Sequence, residues 1–196
     1  MKKVTIVGGG LSGSEAAWQL AKAGYLVDLF EMRPKVKTEA HKTGDLAELV
    51  CSNSFRGASL TNAVGLLKEE LRVCESLIME AADYVALPAG GALAVDRVRF
   101  SKYISEKIKN EPLITLYEDE VTKIPEPQCI IATGPLTSKG LAEALAEKIG
   151  QRALAFYDAI APIVYGESIN WEIVFKQSRY DKGGDDYANI PLSKEE

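Results

Sequence analysis

The chain has 196 residues, 46% of them hydrophobic and 26% charged, with a formal net charge of −5. That composition describes a soluble globular protein of one domain or a domain plus part of another, and its acidic balance gives no overall attraction for nucleic acid. No apolar run is long enough to span a bilayer. Three widely spaced cysteines argue against a disulfide framework or zinc site, and one histidine excludes a multi-histidine metal centre, so a cytoplasmic protein without a metal is expected.

Val4-Thr5-Ile6-Val7 reads as a buried strand, and Gly8-Gly9-Gly10-Leu11-Ser12-Gly13 as a G-x-G-x-x-G turn opening a helix. Gly8 permits the sharp turn, Gly10 lets backbone approach a pyrophosphate, and Gly13 lets the helix lie against the strand. Ala17, Leu20 and Gly24 continue and end the helix, and Val27-Asp28-Leu29-Phe30 reads as a second strand. Glu31 follows eighteen residues after Gly13, close to the spacing at which an acid reaches a ribose hydroxyl. Orphan N–H groups and the helix dipole favour phosphate at such a turn without a basic residue. A dinucleotide is therefore expected, its pyrophosphate over Gly8 to Gly13 and its adenosine ribose on Glu31. The competing reading is an ordinary turn with coincidental glycines.

A segment of little periodicity runs from Arg33-Pro34 to about Leu60, and loops of that length are usually functional or disordered. Arg33, Lys35, Lys37, Lys42 and Arg56 concentrate positive charge there, either to contact a polyanion or as a solvated surface. From Thr61, as a possible N-cap, Val64, Leu67, Leu71, Cys74, Ile78 and Ala81 recur at helical spacing, which predicts one amphipathic helix with Cys74 in the core. Pro88 to Gly91 reads as a turn, Ala92 to Val95 as a strand, and Asp96 as the cap of a helix through Phe100, Ile104 and Ile108. Leu113 to Tyr117 and Val121 to Ile124 are strand candidates.

Cys129-Ile130-Ile131-Ala132 reads as a buried parallel strand, with Cys129 as packing, meeting a second glycine turn at Thr133-Gly134-Pro135. Its place is beside the first strand, so that Gly134 passes close to the dinucleotide. Thr137 or Ser138 caps a helix through Leu141, Leu145 and Ile149. Strand-like runs follow from Phe156 to Phe175, then a loop from Tyr180 to Asp186, and the ending reads as an interruption. The expected organisation is a dinucleotide-binding domain over 1–155 and the start of a strand-rich segment over 156–196.

The two glycine turns, Glu31 and the A-T-G turn near residue 133 resemble the FAD-binding half of a glutathione-reductase-type flavoprotein. This implies an α/β fold: a Rossmann-like doubly wound parallel sheet with a small antiparallel addition. Within that class, residues 39–56 (Glu39-Ala40-His41-Lys42-Thr43-Gly44-Asp45 through Cys51-Ser52-Asn53-Ser54-Phe55-Arg56) resemble the folate-dependent tRNA uracil-5-methyltransferase family, flavoproteins called TrmFO and formerly Gid. Glu31-Met32-Arg33-Pro34 and Ala132-Thr133-Gly134-Pro135-Leu136-Thr137-Ser138 are similar to the same family, and the likeness runs along nearly the whole chain.

The resemblance implies FAD, methylenetetrahydrofolate as carbon donor, NADH or NADPH as reductant, and tRNA as substrate. A methylene group passes to reduced flavin and on to C5 of the T-loop uridine. Gly8 to Gly13, Glu31, Met32, Arg33, Val121 and Ala132 to Gly134 are then cofactor-binding, Val121 by analogy of fold. Cys51 is implied to lie beside the flavin and take part in methylene or proton transfer; uracil C5 becomes nucleophilic only after a thiolate adds at C6, and a base must later remove the C5 proton. The family's second cysteine falls beyond Glu196, and neither Cys74 nor Cys129 matches it. Read from residues alone, Cys51 is either an inert thiol or one activated by Arg56 or Lys42. His41 is a proton shuttle or a surface hydrogen-bonding residue, and Asn53 and Ser54 contact flavin or position the loop. Two other readings stand beside the methyltransferase: the tRNA-modifying flavoprotein MnmG, whose likeness stops at the glycine turns, and an FAD-binding module without turnover.

Overall fold

The computed structural model describes residues 2–150, 164–178 and 184–191. In chain order its elements are β1 (Lys3–Val7), α1 (Leu11–Lys22), β2 (Leu26–Phe30), β3 (Ser54–Gly57), α2 (Ala63–Val73), α3 (Leu77–Tyr84), β4 (Ala86–Leu87), β5 (Ala92–Val95), α4 (Arg97–Lys109), β6 (Ile114–Tyr117), β7 (Cys129–Ile131), α5 (Lys139–Ile149), β8 (Phe175–Lys176) and β9 (Ala188–Asn189).

Four parallel strands in the order β6-β2-β1-β7 form the main sheet, with Ile6 of β1 level with Leu29 of β2 and Ile130 of β7. Sheets of this kind are covered by helices, which explains the continuous apolar run at Val4 to Val7. Ala17 and Ala21 of α1, Leu77, Ala81 and Ala82 of α3, and Phe100, Ile104 and Ile108 of α4 join Ile6, Val27 and Leu29 in one core. Asp96 caps α4 as expected, its carboxylate accepting from the N–H groups of Val98 and Arg99 at 3.0 Å each. The antiparallel addition is a second sheet, β3-β5-β4, with a register irregularity between Ser54 and Gly57; β8 and β9 pair separately.

Two glycines set the distance between α1 and the sheet. A Cβ on Gly13 would stand 1.8 Å from the Gly8 carbonyl oxygen, and one on Gly8, whose φ is +103°, would stand 2.7 Å from the Ala132 carbonyl oxygen. Glycine at these positions is what brings the first turn of α1, the end of β1 and the turn after β7 together.

The helix expected from Thr61 to Ala81 is two helices. Asn62, not Thr61, caps α2, accepting from Gly65 N–H, and α3 starts afresh at Ser76, which accepts from Met79 N–H. The cause lies on α1: the Glu15 carboxylate accepts from Ser76 Oγ at 2.8 Å and Ile78 N–H at 2.9 Å, Gln19 donates to the carbonyls of Cys74 and Glu75, and Glu75 takes a φ of +54°. The phase resets at this break. The stripe on α2 therefore faces outward, with Leu67 and Leu71 exposed, and Cys74 is exposed rather than core. Gly65 and Lys68 are buried instead; Lys68 donates to the carbonyls of Gly57 and Val64.

Val121 to Ile124 is loop, not strand. Cys129 is half-buried, its Sγ donating to the Pro125 carbonyl at 3.5 Å. The segment after Arg33 has few regular elements but is anchored: Leu46, Ala47 and Leu49 enter the core. Ser138 occupies the N-cap of α5 without a side-chain capping bond. Of the runs expected between Phe156 and Asp186, residues 151–163 and 179–183 lie outside the described residues; Phe175 does begin β8.

Gly13→Ala should lower the unfolding free energy by about 3 kcal/mol through overpacking against Gly8. Gly10→Ala, whose Cβ meets nothing within 4 Å, should cost within about 1 kcal/mol, the loss of a glycine cap. Urea unfolding of the two variants beside the parent chain measures the contrast.

Candidate functional site

The carboxyl ends of the four parallel strands open into one crevice, where ligands of such sheets bind. Its walls are Val7, Gly8 and Gly10 at the end of β1, Phe30 to Arg33 at the end of β2, Asp119 to Val121 after β6, and Ala132 and Thr133 after β7, joined by Thr38, His41, Leu136, Ser138 and Leu141. Phe30 and Tyr117 stack at 4.8 Å beside it. No described side chain caps α1, and the space above Gly10 is open, so the helix's first N–H groups are exposed to whatever enters.

Glu31 and Arg33 form the floor, with 6% and 3% of their surfaces exposed. Glu31 Oε2 accepts from Gly9 N–H at 2.9 Å, while Oε1 accepts from the N–H and Nε of Arg33 at 3.1 and 2.9 Å. Each carboxylate oxygen has two acceptor positions, so Oε2 retains one for a further donor. Burial opposes the charge on Glu31, but Arg33 and the two backbone N–H groups outweigh it and hold the carboxyl below its ordinary value.

Arg33 also donates from Nη1 to Glu48 Oε2 at 3.1 Å. Glu48 gathers the loop in turn, accepting from Lys42 N–H at 2.9 Å, Thr43 N–H at 3.1 Å and Thr43 Oγ1 at 2.8 Å. Burial would raise its pKa, yet these donors and Arg33 lower it. His41 Nδ1 lies 2.6 Å from Thr38 Oγ1, and burial together with the charge of Arg33 holds its pKa below the ordinary value. The imidazole is therefore neutral at pH 7.

Of the residues singled out in the sequence, Gly8, Gly10, Glu31, Met32, Arg33, Val121, Ala132 and Thr133 line the crevice. Gly9 is buried beneath it, where a Cβ would meet Leu46 at 2.5 Å, and Gly13 is packed under Gly8. Leu11 and Ser12 are exposed at the helix start, and Gly134, at φ +63°, opens the turn after β7. Cys51 is exposed and is not part of the crevice lining. The basic cluster is smaller than its sequence suggests, since Arg33 is buried between two carboxylates and Lys35 pairs with Asp119 at 2.7 Å. Glu48 was missed: it stands in an aperiodic loop, and only the fold brings it to Arg33.

A glycine turn between parallel strand and helix, with a buried acid ending the second strand, defines a Rossmann-type dinucleotide-binding protein. The family model described as "Glucose inhibited division protein A" matches residues 3–196, and the chain belongs to that family. It is 57% identical over 195 residues to a protein of Listeria monocytogenes serotype 4b named methylenetetrahydrofolate–tRNA-(uracil-5-)-methyltransferase TrmFO, and 59% identical over 197 residues to the like-named protein of Lactobacillus johnsonii. Each match covers 100% of this chain and 45% of the relative, so the chain spans about half the length of these curated relatives. The solved structure of Aquifex aeolicus GidA matches 63% of this chain and 20% of its own with a TM-score of 0.51 at 18% identity, which bears on the fold alone.

Removing Arg33 takes the side-chain partner from the buried Glu31 carboxylate and one donor from the half-buried Glu48, so Arg33→Ala should cost about 3 kcal/mol. The pKa values of Glu31 and Glu48 are both lowered from 4.5, so their contribution is complete above that pH and is lost as pH falls through the lower folded-state values. Glu31→Gln should flatten the acid limb of stability against pH, read from urea midpoints across the acid range.

Proposed function

We propose that this chain holds FAD in the crevice and forms the flavin-binding part of an enzyme that methylates C5 of the T-loop uridine in tRNA. Methylenetetrahydrofolate is the carbon donor and NADH or NADPH the reductant in this reading. The observation that carries it is the match of the whole chain to relatives named for that reaction, joined to a crevice whose parts suit a dinucleotide. The fit is specific: open space over Gly10, an uncapped helix start, and an acceptor position left on Glu31 Oε2.

The N–H groups of Gly10 to Gly13 hold the diphosphate, Glu31 takes a ribose hydroxyl, and Met32, Arg33, Val121 and Ala132 to Gly134 complete the cofactor site. Flavin supplies redox and one-carbon chemistry that the side chains do not have. Cys51, exposed on its loop, is the residue of this chain that takes part in methylene or proton transfer. The dinucleotide-binding domain is residues 1–155, residues 156–196 lead toward a further segment, and the protein works in the cytoplasm. Among the described residues, no helix is long and apolar enough to cross a membrane.

The purified chain should be yellow, and Glu31→Ala should weaken flavin binding at least tenfold, about 1.4 kcal/mol, in a fluorescence titration. Assay with tRNA, methylenetetrahydrofolate and NADH then separates outcomes. Methyl transfer lost in Cys51→Ala with flavin retained supports the thiol's role, yellow protein without methyl transfer leaves a binding module, and a colourless chain overturns the reading.

A further inference from the structure

Glu31 belongs to the crevice, and Glu48 belongs to the loop that ends at Cys51. One guanidinium joins them. Arg33 gives Nε to Glu31 Oε1 at 2.9 Å and Nη1 to Glu48 Oε2 at 3.1 Å, with a further contact from Nη1 to the Thr43 carbonyl at 3.4 Å. The second link between the same two parts is backbone: the Gly9 carbonyl accepts from Ala47 N–H at 2.8 Å, and Ala47 takes a φ of +52° to make that bond. Beyond Leu49, which is buried, Asn53 Nδ2 donates to the Val95 carbonyl at 3.0 Å while the Asn53 carbonyl accepts from Val95 N–H at 2.9 Å. Cys51 thus lies on an exposed stretch that follows a segment held both by the core residues Leu46, Ala47 and Leu49 and by the Arg33–Glu48 pair.

We propose that Arg33 is a positioning residue that couples occupation of the dinucleotide crevice to the order of the thiol loop. A donor arriving at Glu31 Oε2 fixes the carboxylate that Arg33 grips, and Arg33 in turn fixes Glu48 and the backbone at Lys42 and Thr43. Coupling is reciprocal, so an ordered loop also strengthens binding in the crevice. The fork shape of the guanidinium is what spans two carboxylates; a lysine ammonium keeps the charge but is a point donor on a flexible stem. This inference rests on the crevice being the FAD site, and on no assumption about turnover.

The test is amide hydrogen exchange of the whole chain with and without FAD, followed by mass spectrometry of peptides covering residues 8–14 and 42–51. Site-resolved alkylation of Cys51 is read in parallel, since Cys74 is also exposed. FAD should slow exchange in both peptides of the parent chain, in 42–51 by about fivefold or more, and change the Cys51 alkylation rate. In Glu48→Gln, which leaves Glu31 and Arg33 in place, the slowing at 8–14 should persist at saturating FAD while that at 42–51 and the alkylation response fall away. Arg33→Lys, which alters the crevice itself, should also lose the slowing at 42–51, and where circular dichroism shows that it has not folded the Glu48→Gln comparison decides alone. Equal slowing at 42–51 in the parent and variant chains overturns the coupling, because the ligand then covers the loop without Arg33. Flavin bound with no slowing at 42–51 in the parent overturns the coupling alone, whereas a parent chain without visible flavin absorbance overturns the FAD reading and the coupling with it.

Discussion

A buried carboxylate needs donors, and satisfying Glu31 fixes how the parts of this protein meet. Its side chain lies under the glycine turn and is held by Gly9 N–H on one oxygen and Arg33 on the other. Buried charge without partners costs several kcal/mol, so the turn, the end of β2 and Arg33 form one unit that moves together or not at all. Gly9 bears the second constraint, because Leu46 occupies the space a side chain there would need. The main sheet positions the strands, but this cluster decides that the loop after β2 folds back over the crevice floor.

Strict steric or periodic demands made much of this legible in the sequence. Gly8 and Gly13 each have a separate steric reason to be glycine, and the apolar runs of β1 and β2 have the length and composition of buried parallel strands, whereas β7, expected to be buried, lies at the end of the described sheet with Ile130 exposed. Asp96 was readable because a cap is a local bond over two or three residues. The antiparallel addition and the loop character of residues 33–53 were readable in outline, the first from the run Ala92 to Val95 and the second from lack of periodicity.

What could not be read depends on tertiary partners. The helical stripe from Val64 to Ala81 is continuous in sequence, but Glu15 and Gln19 on α1 compete for the backbone between Cys74 and Ile78 and break it there. Neither residue announces that role, since an acid and an amide on a helix surface normally face solvent. Val121 to Ile124 has strand-forming composition, yet composition measures fit to a pleated, half-buried surface, and no neighbour pairs with that segment among the described residues. Arg33 illustrates the same limit for charge. Counted in sequence it belongs to a basic patch, whereas in the fold its charge is spent on Glu31 and Glu48.

The charge lining the crevice narrows what it can receive. Glu31, Asp119 and Glu120 contribute three carboxylates, while Arg33 is the one permanent cation among the lining residues, and it is already shared by two acids. Side-chain charge does not favour an anion there, which supports the proposal that the diphosphate takes the uncapped start of α1 beside Gly10. The acidic remainder suits the opposite chemistry, hydroxyl and amino donors on neutral rings. A molecule with a short diphosphate and donor-rich groups attached to it satisfies both regions at once; a triphosphate would carry its excess charge onto carboxylates. The distribution of charge, more than the volume of the crevice, is what matches this site to a dinucleotide.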